Sequence, residues 1–456
     1  MPLGVLYPNE GGRFASNPIV IPQPILAPIS ECFLGVVWMK YELKCLKTNE
    51  RLTDDYTLHH TDNALLQTQY ETSLEVNDEA EGVWQFEDWL PVTDANEFIA
   101  GTVTYKAEEL GNELGLSNLW VTFHGYWPEK GGLCPTGSFK DMEAVPTIQR
   151  LNDHDGQGLI CASAGNTARA FTHFCSLSKT PLIVIVGRDH AERIWVRKDI
   201  STESIRLVVV DDGEYADAKH LAKQLAEHLE GWQLEGGVHN VARRDGIGSL
   251  IIDAAYTIGE MPDHYFQGIG GGPGPIGVHE MAERLVETGQ FEGPVPQQHV
   301  SQNADHCPIH NAWQAGRDHL LPEDFPAEEV EVYSDYLLNT APAYGQVGGV
   351  HDILEASNGQ THVVEREAAE AAKQLVEGIE GIDIMTPGAV ATASLQQAVE
   401  AGDVETDDCI VLNISGGGAE RLKNDIETRT VDAWLRVSKV GGAVTVLQAL
   451  ANEEQA

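Results

Sequence analysis

The stretch Gly158-Leu-Ile-Cys161-Ala-Ser163-Ala-Gly-Asn166-Thr-Ala-Arg169-Ala reads as a buried strand, a tight turn of small residues and the start of a helix. Outward from it the same alternation recurs. Leu182-Ile-Val-Ile-Val186 and Leu207-Val-Val-Val210 are short branched runs of the kind buried on both faces of a parallel sheet. Residues 217–229 place Leu221, Leu225 and Leu229 at four-residue spacing, which predicts a helix. Residues 368–376 and 390–399 also read as helical, the second following Pro387, and Cys409-Ile-Val-Leu412 is another buried strand. Strands alternating with helices predict an α/β fold with right-handed crossovers and ligands at the carboxyl ends of the strands.

A chain of 456 residues exceeds one small core, so two domains around a cleft are expected. The expected division is a flexible extension over 1–38, a larger domain from 39–144 and 241–456, and a smaller one over 145–240. Prolines break the apolar text of residues 1–38 and no basic segment precedes it, so it reads neither as a signal peptide nor as a folded element. Seventy acidic residues against 29 basic ones leave a formal charge of −41. Such a chain repels nucleic acids and anionic membranes, and reads as a surface adapted to high salt. The seven cysteines are scattered with no Cys-x-x-Cys pair, which fits a reducing cytoplasm. No apolar run reaches the ~18–20 residues of a membrane span.

Four segments carry chemistry. Thr136-Gly-Ser-Phe-Lys140-Asp-Met-Glu places a lysine at a loop-to-helix junction. A lysine that forms a Schiff base needs a lowered amine pKa, which partial burial and a helix N-terminus promote. Taken alone, an exposed lysine at a helix start is the commoner reading. In the segment from Cys161 to Ala170, a turn of small residues lets a flat ring lie on the backbone, with Asn166 to bond a phenolate oxygen; a tight capped turn is the rival. Gln267-Gly-Ile-Gly270-Gly271-Gly272-Pro-Gly274-Pro-Ile-Gly277 follows the strand-like residues 264–267 and reads as a phosphate cup, with a plain flexible loop as its rival. It matches a dinucleotide fingerprint formally, but no acidic residue closes a second strand ~20 residues on. Asn413-Ile-Ser415-Gly-Gly-Gly418 puts a hydroxyl at a strand end, where it could face a pyridine nitrogen and leave it unprotonated. By itself, a turn serine is the simpler account.

Lys140, Asn166, Gly270–Gly274 and Ser415, in that order, resemble the threonine synthase and cysteine synthase superfamily, whose members are fold-type II pyridoxal-phosphate enzymes. The resemblance spans about residues 41–430. It implies a tryptophan synthase β-like fold of two open twisted α/β domains, with pyridoxal 5'-phosphate in the cleft between them. It further implies that Lys140 is the Schiff-base lysine, Asn166 bonds the ring oxygen, the glycines take the phosphate and Ser415 faces the ring nitrogen. Within that superfamily, Gly125-Tyr-Trp-Pro-Glu-Lys130-Gly, Asn240-Val-Ala-Arg243-Arg244-Asp-Gly, residues 261–267, Asn311-Ala-Trp-Gln-Ala-Gly316 and residues 412–418 are similar to the cysteate synthase family. That likeness implies β-replacement of the phosphate of O-phospho-L-serine by sulfite. Threonine synthase, cysteine synthase and a non-catalytic regulatory homologue remain alternatives.

Two anionic reactants on a chain of −41 require local positive charge. Lys130, Arg169, Arg193, Arg197, Arg243 and Arg244 are the candidates, with Arg243 and Arg244 favoured because they lie in a matching segment. Thr136 and Ser163 are the expected polar contacts to substrate. Relatives often begin with a cysteine-rich zinc segment, and only Cys45 remains here, with His59 and His60 downstream, so no structural metal is expected. Relatives also tend to carry a hydroxyl residue where Pro273 stands. A homodimer is the expected assembly.

Overall fold

The structure, a computed structural model, describes residues 39–163, 165–328 and 330–454. The extension expected over 1–38 lies outside them. Two parallel sheets dominate. The larger has six strands in the spatial order Gln360–Val364, Gln297–Asn303, His264–Gly268, Ile410–Ile414, Leu119–Phe123 and Val103–Lys106. Only the last runs antiparallel to its neighbour. The smaller has five parallel strands in the order Trp232–Leu234, Gly158–Ala162, Leu182–Gly187, Ile205–Val210 and Leu435–Val437.

Leu182 to Val186 are buried without interruption, as expected of a strand covered on both faces. The helix expected over 217–229 is Tyr215–His228, those at 368–376 and 390–399 are Arg366–Glu380 and Thr386–Ala401, and the strand at 409–412 is Ile410–Ile414. The division at residue 240 needs one correction. Strand Leu435–Val437 and helix Gly442–Glu454 return to the smaller sheet, since Val437 and Val446 pack with Leu221 and Leu225 in one apolar cluster. One exposed basic residue, Arg436, interrupts the strand's three-residue text, so alternation alone did not announce it.

Helix Val241–Ile258 is buried along nearly its whole length and touches helix Lys140–Asp153 on one side and helix Pro273–Glu287 on the other. Glycines permit these contacts. A Cβ on Gly248 would stand 2.4 Å from the carbonyl of Gly277, and one on Gly277 would stand 2.3 Å from that of Arg244. A three-stranded antiparallel sheet over residues 41–70 caps the assembly. It is tied down by a buried ion pair, in which Arg150 donates from Nε and Nη2 to Asp54, each at 2.7 Å, while Tyr41 Oη donates to the same carboxylate at 2.6 Å.

Candidate active site

Four strand ends and helix starts converge on one cavity of about 710 Å³, lined by Lys140, Ser163, Asn166, Gly270 to Gly274, Arg243 and Ser415. Gly158–Ala162 delivers Ser163 and Asn166, the latter opening helix Asn166–Ser178. His264–Gly268 runs into the glycine loop, and helix Pro273–Glu287 starts where Gly272 turns at φ +104°. Strand Ile410–Ile414 ends at Ser415, and Lys140 is the first residue of its own helix.

Backbone bonds set the Lys140 and Ser415 loops side by side. Phe139 N–H donates to the Ser415 carbonyl at 3.1 Å, and Gly417 N–H donates to that of Gly137 at 3.0 Å. Lys140 Nζ bonds Glu143 one turn on, with its side chain 17% exposed. Burial lowers its amine pKa, Glu143 raises it and Arg243 lowers it again, with a net fall. Arg243 holds the other Glu143 oxygen through Nε at 2.7 Å and also pairs with Glu235. The lysine therefore sits in a buried alternation of charges, Lys140–Glu143–Arg243–Glu235.

The glycine loop offers a second set of donors. The amides of Gly270, Gly271, Gly272 and Gly274 donate no backbone hydrogen bond among the described residues. They sit at a helix N-terminus, whose dipole favours an anion. Pro273 and Pro275 occupy helix-start positions, where an N–H would have no partner in the helix. A Cβ on Gly274 would stand 2.4 Å from Gln267 Nε2, so a larger residue there requires the Gln267 side chain to shift.

Two expected substrate contacts are corrected. Arg244 does not reach the cavity. It is fully buried, pairs with Glu280 at 3.0 Å, and bonds the carbonyls of Val238 and Leu66. Adjacent helical residues point some 100° apart, and here that turn sends Arg244 to Glu280 while Arg243 meets the cavity. Thr136 also lies off the cavity lining: its N–H and hydroxyl both bond the Asp141 carboxylate, at 2.8 and 2.5 Å. Of the other basic candidates, Arg193 lines the cavity and pairs with Asp335 at 2.7 Å, joining the smaller sheet's side to the larger. Lys130 lies over the rings of Tyr105 and Trp127, Arg197 pairs with Asp199, and Arg169 is buried, donating to Asn166 Oδ1 at 2.6 Å. Sequence reasoning missed Glu143 and Glu235 as counter-charges. Glu143 had a signal, its three-residue spacing from Lys140; Glu235 had none, as only folding brings it to Arg243.

The family of pyridoxal-phosphate dependent enzymes matches residues 97–416 of the chain. Cysteate synthase of Methanosarcina barkeri is 44% identical over 391 residues, covering 84% of this chain and 94% of that protein. Cysteate synthase of Methanosarcina acetivorans is 44% identical over 406 residues, covering 88% and 97%. Among solved structures, maize serine racemase superposes with a TM-score of 0.54 at 16% identity, covering 78% of this chain and 94% of that one, which speaks to the fold.

The residues of the cavity fit pyridoxal phosphate as a donor set. An amine with a lowered pKa suits covalent attachment, free amides at a helix start suit a phosphate, and the Ser415 hydroxyl donates no hydrogen bond to another described residue. The chain belongs to the pyridoxal-phosphate-dependent enzymes of fold type II and, within them, to the cysteate synthase family.

Proposed function

We propose that this protein replaces the phosphate of O-phospho-L-serine with sulfite, giving L-cysteate and phosphate. The observation that carries this reading is the convergence of Lys140, Asn166, the glycine loop and Ser415 on one cavity, in a chain 44% identical to cysteate synthases across most of its length. Pyridoxal phosphate, when bound, withdraws electrons from the amino acid, making the Cα proton acidic and easing departure of the Cβ substituent.

The chain's own residues supply the rest. Lys140 Nζ would hold the cofactor; once the substrate amine has displaced it, the freed amine takes the Cα proton, phosphate leaves Cβ, and Lys140 returns the proton to Cα after sulfite has joined Cβ. Burial keeps that amine easier to deprotonate, while Glu143 holds it in place. Asn166 would bond the ring oxygen, and Ser415 would give the ring nitrogen a neutral partner, which suits a reaction whose leaving group departs promptly. The amides of Gly270, Gly271, Gly272 and Gly274 would hold the cofactor phosphate. Ser163 and Arg243 face the substrate, Arg243 as a buried cation that shares Glu143 with the lysine.

The same reading places the enzyme in a cytoplasm of high salt, as a homodimer, with cysteate consumed in coenzyme M or sulfonolipid synthesis. The scattered cysteines, the charge of −41 and the superfamily resemblance support it. No helix among the described residues is long and apolar enough to cross a membrane. Lys140→Ala is expected to abolish both the visible absorbance of the lysine-linked cofactor and phosphate release from phosphoserine with sulfite. Survival of the absorbance band would displace Lys140 from its role, and phosphate release only from phosphohomoserine would favour a threonine synthase.

A further inference from the structure

The mouth of the cavity holds a second group of bases that the cofactor does not account for. Helix Tyr215–His228 presents Lys219 and Lys223 to the cavity, one turn apart and both exposed. His239 reaches it from the turn after Trp232–Leu234, and His59 from the N-terminal segment. The two imidazole centroids lie 4.1 Å apart. Lys219 lies over the ring of Tyr215, 5.2 Å from its centroid, and Tyr215 lines the same cavity.

The other strong bases of the cavity are all paired: Lys140 with Glu143, Arg193 with Asp335, Arg243 with Glu143 and Glu235. Lys219 and Lys223 have no carboxylate within ion-pair distance among the described residues, on a chain where acids outnumber bases 70 to 29. Nor is the Nδ1 of His239 satisfied, although it is buried. Burial first, and then the charge of Lys223 on His59 and of Arg244 and Lys219 on His239, hold both imidazoles below the usual histidine range, so the rings stand neutral beside the lysines. The two exposed ammonium groups at one opening repel one another, and a doubly charged oxyanion placed between them, beside the two neutral imidazoles as hydrogen-bonding groups, would relieve that repulsion. The cofactor phosphate has its own donors in the glycine loop of the larger sheet, so this cluster answers to a different anion.

We propose that His59, Lys219, Lys223 and His239 form a binding subsite for a doubly charged oxyanion at the cavity mouth, one that takes the phosphate of the amino-acid substrate or the incoming sulfite. The inference rests on the function proposed above for the identity of that anion. Both candidates are small polyoxygen dianions, and kinetics with each reactant varied separately distinguishes them.

The test uses holoenzyme with Lys219→Gln and Lys223→Gln combined. The KM of one reactant is expected to rise on the order of tenfold, with kcat and the visible cofactor band unchanged, and kcat/KM is expected to lose much of its dependence on salt. Lys219→Arg with Lys223→Arg should restore the KM, and Lys47→Gln, an exposed lysine away from the cavity, should leave every value unchanged. The reactant whose KM moves identifies the anion. Unchanged KM values for both, with the cofactor band retained, would overturn the subsite. Should the wild-type protein fail to convert phosphoserine and sulfite, the proposed reaction falls by itself. The subsite is then read by calorimetric titration of wild-type and doubly substituted holoenzyme with inorganic phosphate, where equal affinity overturns it and weaker binding by the double variant supports it.

Discussion

Lys140 shares one carboxylate with Arg243, and that sharing determines how its amine titrates. Burial and Arg243 lower the pKa, whereas Glu143 raises it. Glu143→Gln removes the raising influence, so the amine pKa is expected to fall further. A base with a lower pKa stays neutral to lower pH, so the acid limb of the kcat profile should move downward. A pH series on phosphate release checks the direction; an unmoved or upward-shifted limb would separate Glu143 from the lysine's titration. The same substitution leaves Arg243 with Glu235 as its remaining carboxylate. Of the Arg243–Arg244 pair, only the first meets the cavity, because the second spends its donors on Glu280 and two carbonyls.

At the scale of elements, the glycine loop and the helix it feeds act as one unit. Gly274→Ala drives a methyl group against Gln267, which also accepts from Tyr265 Oη at 2.6 Å. Overpacking of this kind costs about 1–3 kcal/mol. The expected result is cofactor affinity weakened by about ten- to hundredfold, read by titrating the apoprotein with pyridoxal phosphate, while the fold persists. The N-terminal sheet depends on Asp54. Burial pushes that carboxyl up, but Arg150, His154 and Tyr41 outweigh it and hold it well below the usual carboxylate range. Its contribution is therefore present above the unfolded pKa near about 4 and lost as pH falls below it. Asp54→Asn leaves Arg150 buried with a neutral partner, and is expected to destabilise by about 3–5 kcal/mol in denaturant unfolding at neutral pH. The loss relative to wild type should shrink as the solution is acidified.

For the whole molecule, a charge of −41 sets the conditions under which it stays folded. Self-repulsion of that size weakens the compact state, and raising salt from 0.1 to 1 M shortens the screening length from about 10 Å to about 3 Å. The midpoint of thermal unfolding is accordingly expected to rise with sodium chloride across that range. A flat response would show that surface pairs already neutralise the field. Buried pairs such as Arg150–Asp54 and Arg284–Asp245 are shielded from this screening, so the salt response belongs to the exposed carboxylates.

Much of this was legible in the sequence because it is local. Strands such as Leu182–Gly187 declare themselves through uninterrupted branched apolar residues, and the glycine loop and Lys140 stand at junctions marked by small residues on either side. Family likeness then ordered Lys140, Asn166, the glycines and Ser415 into one site. What needed the tertiary structure was everything fixed by the direction of a side chain or by pairing across long separations. Helix rotation sends Arg243 to the cavity and Arg244 to Glu280, a choice that adjacency in the sequence does not contain. The return of Leu435–Val437 to the smaller sheet is a parallel pairing with Ile205–Val210, more than 200 residues away. Glu235 meets Arg243 across the intervening turn, and His59 packs tilted against His239, 180 residues on, only because the chain closes there. Periodicity and turn chemistry act over a few residues, which is why they determined the elements; burial and charge pairing act across the assembled fold, which is why only its three-dimensional closure decided the site's electrostatics.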